Sequence, residues 1–184
     1  LIRLQEKFGF KLIHFSSSEV YGDYPNIMVE TVMDDYEIKQ LNDYDYREPH
    51  RHNYFELFFF LKGGGFHKVD FVKFDIESNS AHIIAPGQVH QMKRDLDSEG
   101  FVILFELNAI EAPKEIENFL FQQMCLDASE NSPCFSFGKE KYSILEYKIK
   151  NMLSLYEEKS EIAKLSLRNE VQSFLIECMK EAED

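Results

Sequence analysis

The stretch from Pro49 to Gly64, PHRHNYFELFFFLKGG, decides how the chain folds. In a β-strand, residues of equal parity share a face. His50, His52, Glu56, Phe58 and Phe60 are all even-numbered, so a single strand over residues 50–61 turns all five the same way. One face would then carry two imidazoles, a carboxylate and two phenyl rings. Gly63, Gly64 and Gly65 end the run.

Further runs of the same kind follow. Phe66–Phe74 precedes a turn at Glu77-Ser78-Asn79-Ser80, and Ala81–Ala85 stops at Pro86-Gly87. Val89–Lys93 leads to a turn across Asp95–Gly100, and Phe101–Leu107 closes the series. Short strands at regular spacing with turn signals between them indicate a sandwich or barrel. Beyond residue 111 the period changes. Glu115–Met124, Lys141–Glu158 and Ser160–Glu183 read as helices, with apolar side chains recurring at helical spacing. Leu145, Ile149 and Met152 form one stripe, and Val171, Phe174 and Leu175 form another. These six either pack on the β-region or form a dimer interface.

Composition narrows the function. The chain has 184 residues, enough for one domain with a real core. Its formal net charge of -13 is repelled by phosphate backbones, which argues against these residues as a DNA-binding surface. No apolar run is long enough to span a bilayer, and no secretory leader is visible. The three cysteines, Cys125, Cys134 and Cys178, are widely spaced and read as reduced thiols of a cytoplasmic protein. The lack of an initiator Met suggests a piece of a longer chain.

His90, in APGQVHQM, adds a third imidazole to the opening pair. His50, His52, Glu56 and His90 form a set suited to a divalent transition metal. The same residues, with Phe58, could instead line a metal-free ligand pocket or serve only as hydrogen-bonding wall residues. His67 and His82 lie on other expected strands and read as locally satisfied wall or surface residues.

His50-x-His52-x3-Glu56-x6-Gly63 is similar to the first cupin motif, and Pro86-Gly87-x-x-His90 to a form of the second that is one residue shorter. Tyr44 stands where a Gly is usual and Arg94 where an Asn is, which weighs against a metal. REPHRHNYFELFFFLKGGGFHKVDF, IIAPGQVHQM and GFVILFEL, in that order, resemble the N-terminal sensor domain of AraC-type transcription regulators over roughly residues 37–184. The resemblance implies a mainly β fold: a cupin-like double-stranded β-helix barrel at 37–110, then an α-helical dimerisation hairpin at 111–184. It implies a small-molecule effector, a sugar among the candidates, a homodimer and no enzymatic activity. It also implies a DNA-binding helix-turn-helix domain beyond the last residue here. A metal-dependent cupin enzyme of the isomerase or dioxygenase class is the alternative.

Residues 1–36 stand apart. KLIHFSSSEVYGDY resembles the catalytic-serine segment of extended short-chain dehydrogenases acting on nucleotide sugars, with Ser17 at the serine position, and EIKQLNDY resembles the approach to that family's tyrosine, with Tyr44 at its position. The lysine expected four residues after the tyrosine is Glu48, and no glycine-rich dinucleotide turn occurs. Oxidoreductase activity is therefore rejected, and the segment reads either as a fused fragment or as the short lead-in strand that regulators of this type carry before the histidines.

Overall fold

The computed structural model describes residues 36–40, 48–125, 132–158 and 160–183. The fused-fragment reading of 1–36, with Ser17 and Tyr44, lies outside them except at residue 36. The strands are β1 (Tyr36–Gln40), β2 (Phe55–Lys62), β3 (Gly65–Val69), β4 (Val72–Asp75), β5 (Ser80–Ile84), β6 (His90–Arg94), β7 (Glu99–Phe105) and β8 (Cys134–Ser136). Three helices are described: α1 (Lys114–Cys125), α2 (Tyr142–Glu158) and α3 (Glu161–Glu183).

The strands form a five-stranded sheet in the order β1-β7-β2-β5-β8 and a three-stranded sheet in the order β4-β3-β6. All pairs are antiparallel. The sheets face each other across a shared interior that holds Phe58, Phe60, Ile84, Val102 and Leu104 from the first, and Val69 and Met92 from the second. This is a cupin-like, mainly β fold with C-terminal helices.

The large sheet is buried on both faces, so β2, β5 and β7 are buried almost end to end rather than at alternate residues. Alternation survives as a choice between two interiors. Even-numbered residues of β2 and β5 face the small sheet. Odd-numbered ones, Leu57, Phe59, Ala81 and Ile83, face the helices. Phe59 meets Phe174 of α3 edge to face, with ring centroids 5.4 Å apart. Burying one such side chain is worth about 1.5–3 kcal/mol. Ser160 caps α3, its hydroxyl accepting the Ala163 N–H at 3.0 Å.

Several expectations change. The strand drawn over 50–61 begins only at Phe55, and His50 instead makes an isolated bridge to His90. The His50 N–H donates to the His90 carbonyl at 2.9 Å, and the His90 N–H returns the bond at 2.8 Å, tying the segment before β2 to the second sheet. Phe66–Phe74 is two strands. Asp70 and Phe71 both have positive φ, 44° and 72°, which makes the tight reversal. The three-residue strand β8 falls in the region read as helical, where it extends the large sheet beside β5.

The six stripe residues Leu145, Ile149, Met152, Val171, Phe174 and Leu175 are at most 1% exposed. They cover the odd face of the large sheet. The chain's own sheet occupies them, so as placed they are not offered to a second copy. The glycine run also does more than end a strand. At Gly65, with φ +90°, a Cβ would come 2.1 Å from the Lys93 carbonyl oxygen.

Candidate functional site

The inner face of the barrel is an unusual core. Five of the six histidines in the chain, His50, His52, His67, His82 and His90, lie there, each no more than 2% exposed, with Glu56 at 0%. Register assembles them. Val69 pairs with His90 and His67 with Met92, so β3 and β6 present His67 and His90 to one side. Phe58 pairs with His82, so β5 contributes its imidazole from the opposite sheet.

The donor atoms converge in two groups. His52 Nε2 lies 3.2 Å from a Glu56 carboxylate oxygen and 3.2 Å from His90 Nε2. The same Glu56 oxygen is 3.4 Å from His90 Nε2. One ligand atom from each of His52, Glu56 and His90 falls within a 4.8 Å group. Among the described residues no other such group of three occurs. His50 stands beside it, its ring centroid 4.2 Å from that of His90. The second group runs away from the first: His67 Nε2 bonds His90 Nδ1 at 2.9 Å, and His67 Nδ1 bonds His82 Nδ1 at 3.1 Å.

Backbone carbonyls fix two rings. His52 Nδ1 donates to the Tyr54 carbonyl at 2.8 Å, and His50 Nδ1 to the Glu48 carbonyl at 3.0 Å. Each therefore presents Nε2 to the interior, the orientation a metal-ligating histidine takes when its other nitrogen is held by a carbonyl. Burial lowers the basicity of the rings. It pushes His67 and His90 well below the ordinary histidine value, with neighbouring imidazoles adding to the effect. Burial alone takes His82 to about 3. His50 is also lowered by burial, against a partial upward pull from Glu56. These four rings are neutral at pH 7.

All five pocket residues read from sequence reach this interior. His52, Glu56 and His90 meet directly, His50 flanks them, and Phe58 stands edge-on to His67 at 5.3 Å. Phe58 and Phe60, both 0% exposed and stacked 6.1 Å apart, fill much of the remaining space. The reading of His67 and His82 as separate wall or surface residues is corrected, because both are members of the cluster. Their inward direction depends on strand pairing, which parity within one run does not give.

Two cavities adjoin the barrel. One of about 490 Å³ lies at the end nearest α1, bordered by Tyr54, Phe55, Leu107 and Phe121. One of about 350 Å³ opens where β4 of the small sheet faces β5 and β8, bordered by Phe74, His82 and Cys134.

The chain is similar in structure to several solved proteins. A cupin protein from Bacteroides fragilis is 22% identical, with a TM-score of 0.31, and the match covers 44% of this chain and 84% of that one. Apo ToxT K231A from Vibrio cholerae is 12% identical, with a TM-score of 0.47 and coverage of 81% and 56%. The AraC-like transcriptional activator CuxR is 12% identical, with a TM-score of 0.44 and coverage of 77% and 52%. The chain thus spans about half the length of these two regulators, and at such scores the likenesses carry no weight for function. No curated protein matches. Family membership rests on sequence instead: the profile of the AraC-like ligand binding domain matches residues 35–136, more than half of the 184. The chain belongs to the AraC-like ligand binding domain family and is the sensing domain of an AraC-type regulator.

Proposed function

We propose that this domain binds a small-molecule effector at the histidine-bearing side of its barrel and reports the bound state to its helices through the shared sheet. One observation carries the reading: β2 and β5 are buried on both faces, so His82 and Ile83, or Phe58 and Phe59, are neighbours that face the site and the helices respectively. Any shift of these strands is felt on both sides, which is the physical content of coupling between sites. The domain acts as a cytoplasmic sensor, not an enzyme. DNA recognition belongs to a separate part of the regulator, consistent with the charge of -13 here. Among the described residues no helix is long and apolar enough to cross a membrane.

A homodimer would use the apolar side chains left exposed on the hairpin, among them Tyr147, Ile162 and Leu165. A compound library screened by melting temperature tests the sensor reading, followed by hydrogen exchange on any stabilising compound. Slower exchange is expected in the barrel and in α2 and α3 together. Protection of the barrel alone would refute the coupling.

The convergence of His52, Glu56 and His90 favours a second reading, a bound divalent cation. The donors fit: two imidazole nitrogens and a carboxylate, with His52 already oriented by the Tyr54 carbonyl. A cation there would supply a positive centre able to hold an effector's oxygen atoms or, in an enzyme of the isomerase or dioxygenase class, to polarise a substrate. Metal content of the purified chain decides it. Stoichiometric metal lost on His52→Ala supports the cation, and metal-dependent turnover would make the domain an enzyme.

A further inference from the structure

The 490 Å³ cavity at the end of the barrel is a second concave site, separate from the histidine interior. None of His52, Glu56 and His90 borders it. Tyr54 and Phe55, at most 2% exposed, lie at its bottom, and Pro86 and Leu107 stand beside them. The other side belongs to α1. Its Glu117, Phe121 and Met124 are spaced four and three residues apart and so share one helix face. Phe121 is 47% and Met124 40% exposed, while Ile116 and Phe119, on a different face, join the core. The volume falls within the range of small-molecule sites.

Among the described residues, Glu106, Glu111 and Glu117 line this cavity, and no lysine, arginine or histidine does. Glu111 stands on a turn tied to α3: its carboxylate meets the Arg168 guanidinium at 2.8 Å, and its carbonyl accepts the Gln172 side-chain amide at 3.3 Å. Glu117 comes from α1 and Glu106 from just after β7, so the negative charge is spread around the walls. These three do not gather their oxygens as His52, Glu56 and His90 gather theirs. A bare metal ion needs several oxygens on one centre, so it does not fit here. An organic cation does. Its charge is spread over a larger head, and its body needs the apolar contact that the rest of the cavity offers. Aromatic faces also attract cations.

We propose that this cavity binds a small organic cation, an amine or ammonium with an apolar body, its head facing Glu117 and its body lying against Tyr54, Phe55 and Phe121. The same carboxylates repel anions. The apolar body covers Phe121 and Met124, which otherwise face water. The site does not depend on what the barrel interior binds, yet it touches both parts of the domain. Tyr54 stacks on His52 with ring centroids 4.3 Å apart, and Glu111 is paired with Arg168 of α3.

Benzylamine, benzyl alcohol and benzoate are alike in shape and differ in charge. Each is titrated into the whole chain, with the NMR signals of the Met124 methyl group and the histidine rings as the readout. Benzylamine should shift Met124 saturably and bind roughly tenfold more tightly than benzyl alcohol, and benzoate should not bind. Glu117→Gln, at a partly exposed helix position, should bring the amine to within about twofold of the alcohol. Phe121→Ala should weaken amine and alcohol alike. Benzoate binding as well as benzylamine, or an amine that gains nothing over the alcohol, overturns the assignment. A response confined to His67 and His90 with Met124 unmoved does the same, because it puts the amine inside the barrel. An undiminished preference for the amine in Glu117→Gln also sinks it, since the head would then not face that carboxylate.

Discussion

The two faces of the large sheet are built from the same three strands and meet different surroundings. On the helix side, Leu57, Phe59, Ile83 and Ile103 pack against α2 and α3 with no polar side chain among them. On the barrel side, Glu56 and His82 share the strands with Phe58 and Phe60, and His67 and His90 face them. The dry face holds the fold together by area and shape. The polar face is held by pairing, and each of its groups is costly if its partner is lost. On the proposed reading, stability and sensing thus fall to alternate residues of one strand.

The largest effect belongs to the dry face. Phe59→Ala removes one of three mutually packed rings, the others being Phe137 and Phe174, and should cost about 3–5 kcal/mol in chemical denaturation. A loss near zero would mean that the helices do not depend on this face. Next comes the polar face with a ligand. If the cation reading holds, zinc at about a hundred times its dissociation constant should stabilise the chain by about 2.7 kcal/mol, and no gain at any zinc concentration would reject that reading. His52→Ala and Glu56→Gln should each abolish that gain in a thermal melt, while Phe59→Tyr should keep it.

Acid sharpens the contrast. His67 and His82 have folded pKa values depressed below 6.5, so the native state binds fewer protons than the unfolded one. Their contribution is intact above pH 6.5 and is lost as pH falls from there toward about 3 for His82. The expected slope is about 1.4 kcal/mol per pH unit for each ring that must charge. Denaturation series between pH 7 and pH 5 would show it, and His82→Leu should flatten the slope by one ring's worth. The smallest effect lies outside both faces. Ile162→Asp, at a side chain 78% exposed, should change stability by no more than about 0.5 kcal/mol. If a second copy docks on the hairpin, the same change should lower the mass seen in sedimentation.

Much of this was legible in the residues. The even parity of His52, Glu56 and Phe58 placed them on one side even though the strand starts later than drawn, because the chain stays extended into β2. His90 was recognisable by its Pro-Gly turn. The helices were legible from their stripes, but a stripe states only that it is covered, not by what, and here the cover is the chain's own sheet. The turn at Asp70 and Phe71 was hidden because neither residue is the glycine or asparagine that usually marks positive φ. Strand β8 is three residues long, too short to show a period, and it exists because β5 offers an edge. That His67 and His82 join the cluster was not legible, because their meeting depends on pairing between strands far apart in sequence.

The doubly buried strand has a consequence for how this domain tolerates change in length. Its residues work as a two-phase reading frame, one phase for the helices and one for the barrel. A single inserted residue before Phe58 would hand each phase to the wrong reader, carrying Glu56 to the apolar helices and Leu57 into the row of rings. The register shift between Phe60 and Lys62, at the far end of β2, lies beyond the last residue for which phase matters to both readers. Insertions should therefore be lethal to the fold on one side of that bulge and survivable on the other.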